Sequence, residues 1–209
     1  MLIEKIEAVA RGRNKVSLDS GESFILYTGE LRLLKIKEGA ELSEETYLQI
    51  VKGILPKRAK LRAMNLLKSR SYTEYQLKKK LLDTGYADSI CEEAVAYVKS
   101  FGYINDREYA ISYINEQASV RSRREIFQKL QQKGIQKSTL DAVFSDIYGE
   151  TESGDESSFD EIAVIVKALK KRGFTGNESY EEKQKLLAYF YRRGFEMDKV
   201  YRAMDKCLT

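Results

Sequence analysis

Three glycines frame this chain. Eight residues before Gly85, Gly134 and Gly194 stand Leu77, Ile126 and Leu186, and four before them stand Leu81, Leu130 and Phe190. Tyr86, Ile135 and Phe195 follow immediately, and Ser89, Ser138 and Asp198 come at plus four. Cys91, Leu140 and Val200 fall at plus six, and Ala94, Val143 and Ala203 at plus nine. Val95, Phe144 and Met204 take plus ten, and Val98, Ile147 and Cys207 plus thirteen. One supersecondary unit is written three times, which limits the fold more than any single motif could.

Each frame position has a physical reading. Apolar residues at minus eight and minus four share one helical stripe, the buried face of a helix. The glycine supplies the left-handed residue that ends that helix, and the apolar residue after it packs back on the last turn. Ser89, Ser138 and Asp198 are expected to cap a second helix, whose inner face is plus six, ten and thirteen. A further helix precedes each pair, at about Pro56–Lys68, Asp106–Ala118 and Ser158–Lys171. The expected fold is mainly α: three tandem three-helix modules in an elongated curved array, with a small N-terminal β-rich segment. The expected divisions are 1–53 (β-rich segment with a helix), 54–102, 103–148 and 158–209 (repeats), and 149–157 (acidic linker). Modules of about 50 residues bury a marginal core alone, so neighbours should stack.

Residues 1–42 differ in texture. Ile3–Val9, Lys15–Leu18 and Ser23–Tyr27 are β-forming runs separated by turn residues, Arg11–Asn14 and Asp19–Gly21. A short helix near Glu30–Leu34 and a turn at Glu38–Ala40 close this sheet, which should lean on the first helices because three short strands are marginal alone. Ser43 with Glu44 and Glu45 starts a helix reaching about Lys52, and Pro56 suits the first turn of the next. Ser71-x-x-Glu74 and Thr73-x-x-Gln76 are overlapping capping boxes; Ser122-x-x-Glu125 and Ser158-x-x-Glu161 follow in the later repeats. Gly149–Ser158 is Gly/Ser/acid-rich and reads as a loop or hinge.

The chain has no histidine, which removes Ser-His-Asp and Cys-His nucleophile systems and imidazole metal sites. It has neither a GxxxxGK[ST] loop nor a GxGxxG turn, so nucleotide chemistry lacks its cradle. Cys91 and Cys207, both on inner-face positions, read as small buried hydrophobes in a reducing compartment. The acids from Asp141 to Glu161 read as a helix end and solvated linker rather than a metal site. No catalytic residue, cofactor or metal is expected. Without an 18-residue apolar run or a signal-peptide core, the expected setting is the cytosol, away from membranes.

Net charge is only +4, but its distribution is uneven. Residues 57–85 carry nine Lys/Arg against two acids, 121–137 six against one, and 163–193 eight against three. Residues 141–162 carry eight acids and no base. Basic excess thus follows the middle helices, where stacked repeats would align it as a discontinuous stripe suited to a phosphate backbone. The candidates are Arg70, Lys78, Lys79 and Lys80; Arg121, Arg123, Arg124, Lys129 and Lys133; and Arg192 and Arg193. Charge alone fits a solvated outer face as well. Tyr75, Tyr86, Tyr109 and Tyr113 fall near apolar positions and read as core rather than as stacking platforms.

The run Ala63-x-x-Leu66-Leu67-x-x-Arg70-Ser71-x-x-Glu74-x-x-Leu77-x-x-x-Leu81-x-x-x-Gly85 resembles the RecX family of recombination regulators. Phe101-Gly102-Tyr103-Ile104-Asn105-Asp106-x-x-Tyr109-Ala110-x-x-Tyr113 resembles that family's most recognisable stretch, with Asn105 where aspartate is common. Ile126-x-x-x-Leu130-x-x-Lys133-Gly134-Ile135 continues the likeness. The resemblance implies a cytosolic helical-repeat protein that lies in the groove of the RecA nucleoprotein filament and restrains ATP hydrolysis and strand exchange. It also implies affinity for DNA, single-stranded and in part double-stranded, and a monomeric regulator. The residues themselves also fit a DNA-binding protein of tandem helix-turn-helix-like modules, or a structural adaptor that does not touch nucleic acid.

With neither a phosphate cradle nor a plausible metal cluster, the purified protein should show no ATPase or nuclease activity in magnesium or manganese. Activity that survives purification and disappears on mutating Asp155, Glu156 and Asp160 would overturn this.

Overall fold

The computed structural model describes residues 1–149 and 160–208, which divide into two compact units, 1–105 and 106–209. In the first unit, β1 (Ile3–Ala10), β2 (Arg13–Leu18) and β3 (Ser23–Tyr27) form an antiparallel sheet in the order β1-β2-β3. Val16 pairs with Ile6 on one side and Phe24 on the other. The period of two turns Val16, Leu18, Phe24 and Leu26 to one buried face. Helix α1 (Thr28–Leu33) follows directly.

The expected break between Lys52 and Pro56 does not occur. Helices α2 (Glu44–Leu48) and α3 (Leu55–Ser69) run into one another through a π-helical turn, Gln49–Ile54. Pro56 has no N–H to donate, and its ring would meet the carbonyl four residues back in a regular helix. The wider π turn accommodates both effects without ending the helix. Then come α4 (Glu74–Leu82) and α5 (Asp88–Ser100), with α3 packed on α5.

The sheet does lean on these helices, as three short strands require. Sheet residues share one core with Ala59, Ala63, Leu77, Leu81 and Cys91. Arg58 of α3 donates to the Ile25 carbonyl and to Glu30 and lies over the Tyr27 ring. Arg13 of β2 donates to the Thr84 carbonyl at 2.6 Å, at the end of α4. Gly85 faces Ile25 so closely that a Cβ there would collide with Ile25 Cδ1.

The second unit holds α6 (Asp106–Gln117), α7 (Arg123–Gln132) and α8 (Lys137–Tyr148), then α9 (Glu161–Lys171), α10 (Tyr180–Arg192) and α11 (Met197–Leu208). Helix α6 packs on α8 and α9 on α11. Each triad has a core of its own, one around Ile114, Leu130 and Leu140 and one around Ile165, Leu169, Phe190 and Val200. The repeat frame is visible as burial. Leu77, Leu81, Ile126, Leu130 and Phe190, and the plus-six and plus-nine residues of all three repeats, are fully buried.

The frame glycines are left-handed, with φ of 91° at Gly85, 86° at Gly134 and 78° at Gly194. Ile135 N–H donates to the Leu130 carbonyl and Phe195 N–H to Phe190, the five-residue closure of a Schellman turn. That turn hands the chain to the next helix sooner than expected. Helices α5 and α8 start after Ala87 and Gln136, in extended conformation, so Ser89 and Ser138 occupy the second helical position rather than the cap. Asp198 is likewise inside α11, which starts at Met197.

The Thr73 box forms in full and the Ser122 box only in its first half, because Glu125 pairs with Arg121 instead of reaching back. Thr73, not Ser71, closes a reciprocal pair with Gln76, and Ser122 accepts from Glu125 N–H at 3.1 Å. Ser158 and the linker 149–157, Gly149 apart, lie outside the described residues. Helix α9 is instead capped by Asp160, whose carboxylate accepts from Ile162 N–H. Two burial expectations change. Tyr75 is half exposed, because it sits off the Leu77–Leu81 stripe, and Cys207 is only partly buried near the end of the last helix. Cys91 is buried, which pushes its thiol up to about 11.

Gly134→Val should lower stability by about 1–2 kcal/mol or more, since a β-branched residue tolerates a left-handed φ poorly. Gly134→Asn should be milder. An unchanged melting midpoint for the valine variant would contradict the cap.

Candidate nucleic-acid interface

The candidate cations divide by what holds them. Lys78 pairs with Asp88 and Glu92 at about 3 Å, and both partners raise its pKa. Arg121 is held by Gln117 and Glu125. The Arg123 guanidinium lies 4.1 Å from the centre of the Tyr148 ring. Lys133 donates to the Tyr109 hydroxyl at 3.0 Å and sits near the Tyr109 and Tyr113 rings. These four serve the protein's own structure. In the first unit, Arg70 rests on the Tyr72 ring at 4.4 Å. Lys79 and Lys80 stand exposed on α4, with no ion pair among the described residues.

The second unit brings together candidates from two repeats. A polar cleft of about 430 Å³ is lined by Arg124, Glu125, Gln128, Lys129 and Gln132 of α7 and by Tyr191, Arg192, Arg193 and Gly194 at the end of α10. Arg124 and Arg192 are exposed and Lys129 partly so, and none of the three has a carboxylate partner among the described residues. Arg124, Gln128 and Gln132 recur every four residues and so form one ridge of α7. The one acid lining the cleft, Glu125, is engaged by Arg121 and stands 3.6 Å from Arg193.

The cleft exists because the end of α10 is fastened to the start of α7. The fully buried Ser122 donates from Oγ to the Arg193 carbonyl at 2.6 Å. Arg193 in turn donates to the Val120 carbonyl at 2.7 Å and to the Tyr189 hydroxyl at 2.7 Å. A Cβ on Gly194 would stand 3.2 Å from Arg124 Cβ and Ser122 Oγ, so the approach suits glycine. On the other side, Glu161 accepts from Arg123 N–H and from Lys199 Nζ, each at 2.8 Å. Its carboxylate, only 8% exposed, is thus satisfied at the positive end of α7. Burial alone would lower the pKa of Lys199, but Glu161 and Glu196 outweigh it and raise the value.

Sequence reasoning selects the four cations of the cleft but misses Tyr191, Gln128, Gln132 and the fastening pair Ser122 and Glu161. Ser122 and Glu161 are visible as capping residues, and nothing in a single sequence shows that their side chains bind a second repeat. The cleft offers cations, amide donors and an exposed ring, suited to a polyanion. Among the described residues no group of His, Cys, Asp and Glu could hold a metal ion, and no helix is long and apolar enough to cross a membrane.

Comparison with known proteins agrees with the repeat. The RecX first three-helix domain matches residues 59–97, the second 105–143 and the third 160–204. The chain is 31% identical over 207 residues to the regulatory protein RecX of Caldanaerobacter subterraneus subsp. tengcongensis, covering 98% of this chain and 99% of that one. It is 25% identical to the regulatory protein RecX of Clostridioides difficile, covering all of this chain and 96% of the relative. A crystal structure of regulatory protein RecX shares the fold with a TM-score of 0.63 at 23% identity, over 98% of each chain. That of RecX from Lactobacillus salivarius does so with 0.58 at 19%, over 73% of this chain and 96% of the other. The chain belongs to the RecX family of regulatory proteins.

Proposed function

We propose that this chain binds the RecA–DNA filament in its groove and restrains RecA ATP hydrolysis and strand exchange, acting in the cytoplasm as a monomer. The observation that carries the DNA part is the cleft between α7 and α10. There Arg124, Lys129 and Arg192 reach the surface without a carboxylate among the described residues to neutralise them. Cations in that condition exchange their counterions for phosphates, the main source of affinity for a nucleic-acid backbone. Lys79 and Lys80 supply a second exposed pair in the first unit. Membership of a family of regulatory proteins supports the RecA part. A second reading, a DNA-binding protein that acts without RecA, draws on the same cleft.

Replacing Lys79, Lys80, Arg124 and Lys129 together by alanine should weaken binding to DNA and to RecA filaments. For every phosphate that a deleted cation had neutralised, the slope of log affinity against log salt should fall by roughly 0.7–0.9. Helicity and melting should hold, because none of the four makes an ion pair among the described residues. Wild-type binding and inhibition by this variant would reduce the basic residues to a solvated face. Titrating RecA ATPase separates the two readings: inhibition at protein levels far too low to coat the DNA supports filament binding, and inhibition only near saturation supports the second reading.

A further inference from the structure

We propose that the cleft between α7 and α10 takes single-stranded nucleic acid, with one unpaired base stacked on Tyr191. The inference rests on the reading of that cleft as a DNA site, takes the single-stranded affinity that the family resemblance implies, and adds the residue that would contact a base. Tyr191 is 68% exposed, and its side chain joins no hydrophobic core among the described residues. Among the described residues it makes no hydrogen bond and meets no ring or cation. The fold therefore has no use for the ring, yet it lines the same cleft as Arg124, Lys129 and Arg192. Tyr27 lies under Arg58 and Phe101 stacks on Tyr103, while Tyr75, Tyr180 and Tyr201 are exposed as well but do not line this cleft. At the matching frame position, three before the glycine, the earlier repeats carry Leu82 and Gln131, so the ring is particular to the third repeat.

An exposed aromatic face beside cations is the usual stacking platform for a base whose phosphate is neutralised nearby. The base must be unpaired to reach it, because the faces of duplex bases are already stacked. Size is compatible. A volume of about 430 Å³ lies within the roughly 300–1,000 Å³ of clefts that hold small ligands, room enough for a single base. Gln128 and Gln132 on the opposite wall provide amides that can pair with a base edge without adding charge.

The test uses the full chain, a fluorescein-labelled oligodeoxythymidylate and a duplex of equal length, followed by anisotropy across a salt series. Tyr191→Ala should weaken oligonucleotide binding roughly fivefold or more, with the salt slope unchanged, since stacking is not a counterion effect. Tyr191→Phe should restore binding, and duplex affinity should stay within about twofold. Melting curves serve as the folding control. Wild-type binding of the oligonucleotide by Tyr191→Ala, or an equal loss on the duplex, would overturn the proposal. An Arg124→Ala/Lys129→Ala variant separates this from the broader reading. If that variant lowers the salt slope while Tyr191→Ala does nothing, only the stacking inference fails. If neither changes binding, the cleft is not a DNA site and both fail.

Discussion

A helix that ends leaves its last carbonyls unpaired, and both units are assembled around one such carbonyl. It belongs to the residue just before the frame glycine. The left-handed turn carries the following chain away, so the carbonyl is open to a neighbouring donor. In the second unit Ser122 Oγ donates to Arg193 O, and in the first the Arg13 guanidinium donates to Thr84 O, each at 2.6 Å. Beside each bond the glycine is pressed against the donor's neighbourhood, Gly194 on Arg124 and Gly85 on Ile25. The N-terminal sheet therefore does for repeat one what repeat two does for repeat three. A β-rich segment with no relation to the repeat thus becomes intelligible as the piece that fastens repeat one.

Electrostatics then sorts the cations by geometry rather than by number. Two acids at the joint, Glu125 and Glu161, are turned inward, where they pair with Arg121, Arg193, Lys199 and the first N–H of α7. With those acids occupied, Arg124, Lys129 and Arg192 have no carboxylate partner among the described residues. Net charge by segment could not separate these three from Arg121, Arg123 and Lys133. Those lie within a few residues of Arg124 and Lys129 and serve the fold.

The repeat, its cores and the strand positions are legible in the sequence because they depend on side-chain period and on glycine, which act locally. Misreadings fall where two local rules compete. Ser89 and Ser138 are good caps, but the two-residue connection after a left-handed glycine starts the next helix before them. Pro56 reads as a helix start, and a π turn upstream removes the need for one. Burying Ile50, 0% exposed, and Leu55 along one continuous rod favours that outcome. Tyr191 is not legible at all. An exposed residue leaves no periodic trace, and its meaning comes from Arg124 and Lys129, more than sixty positions earlier in the chain.

Outer frame positions are not repeated as the inner ones are. Position minus five is Lys80, then Lys129, then Tyr189. In the third repeat the ring of Tyr189 lies 3.7 Å below Arg172, and its hydroxyl accepts from Arg193. Burial pushes that hydroxyl's pKa up, but the two arginines outweigh it and hold the value below the ordinary tyrosine range. The equivalent position has thus passed from a surface lysine to a brace for Arg193, the residue whose carbonyl Ser122 grips. The cleft takes the end of one middle helix and the exposed flank of another, so it uses non-equivalent faces of equivalent units. Inner positions stay alike because packing allows little change in volume. Outer positions are free to diverge, and a site made between repeats needs that divergence.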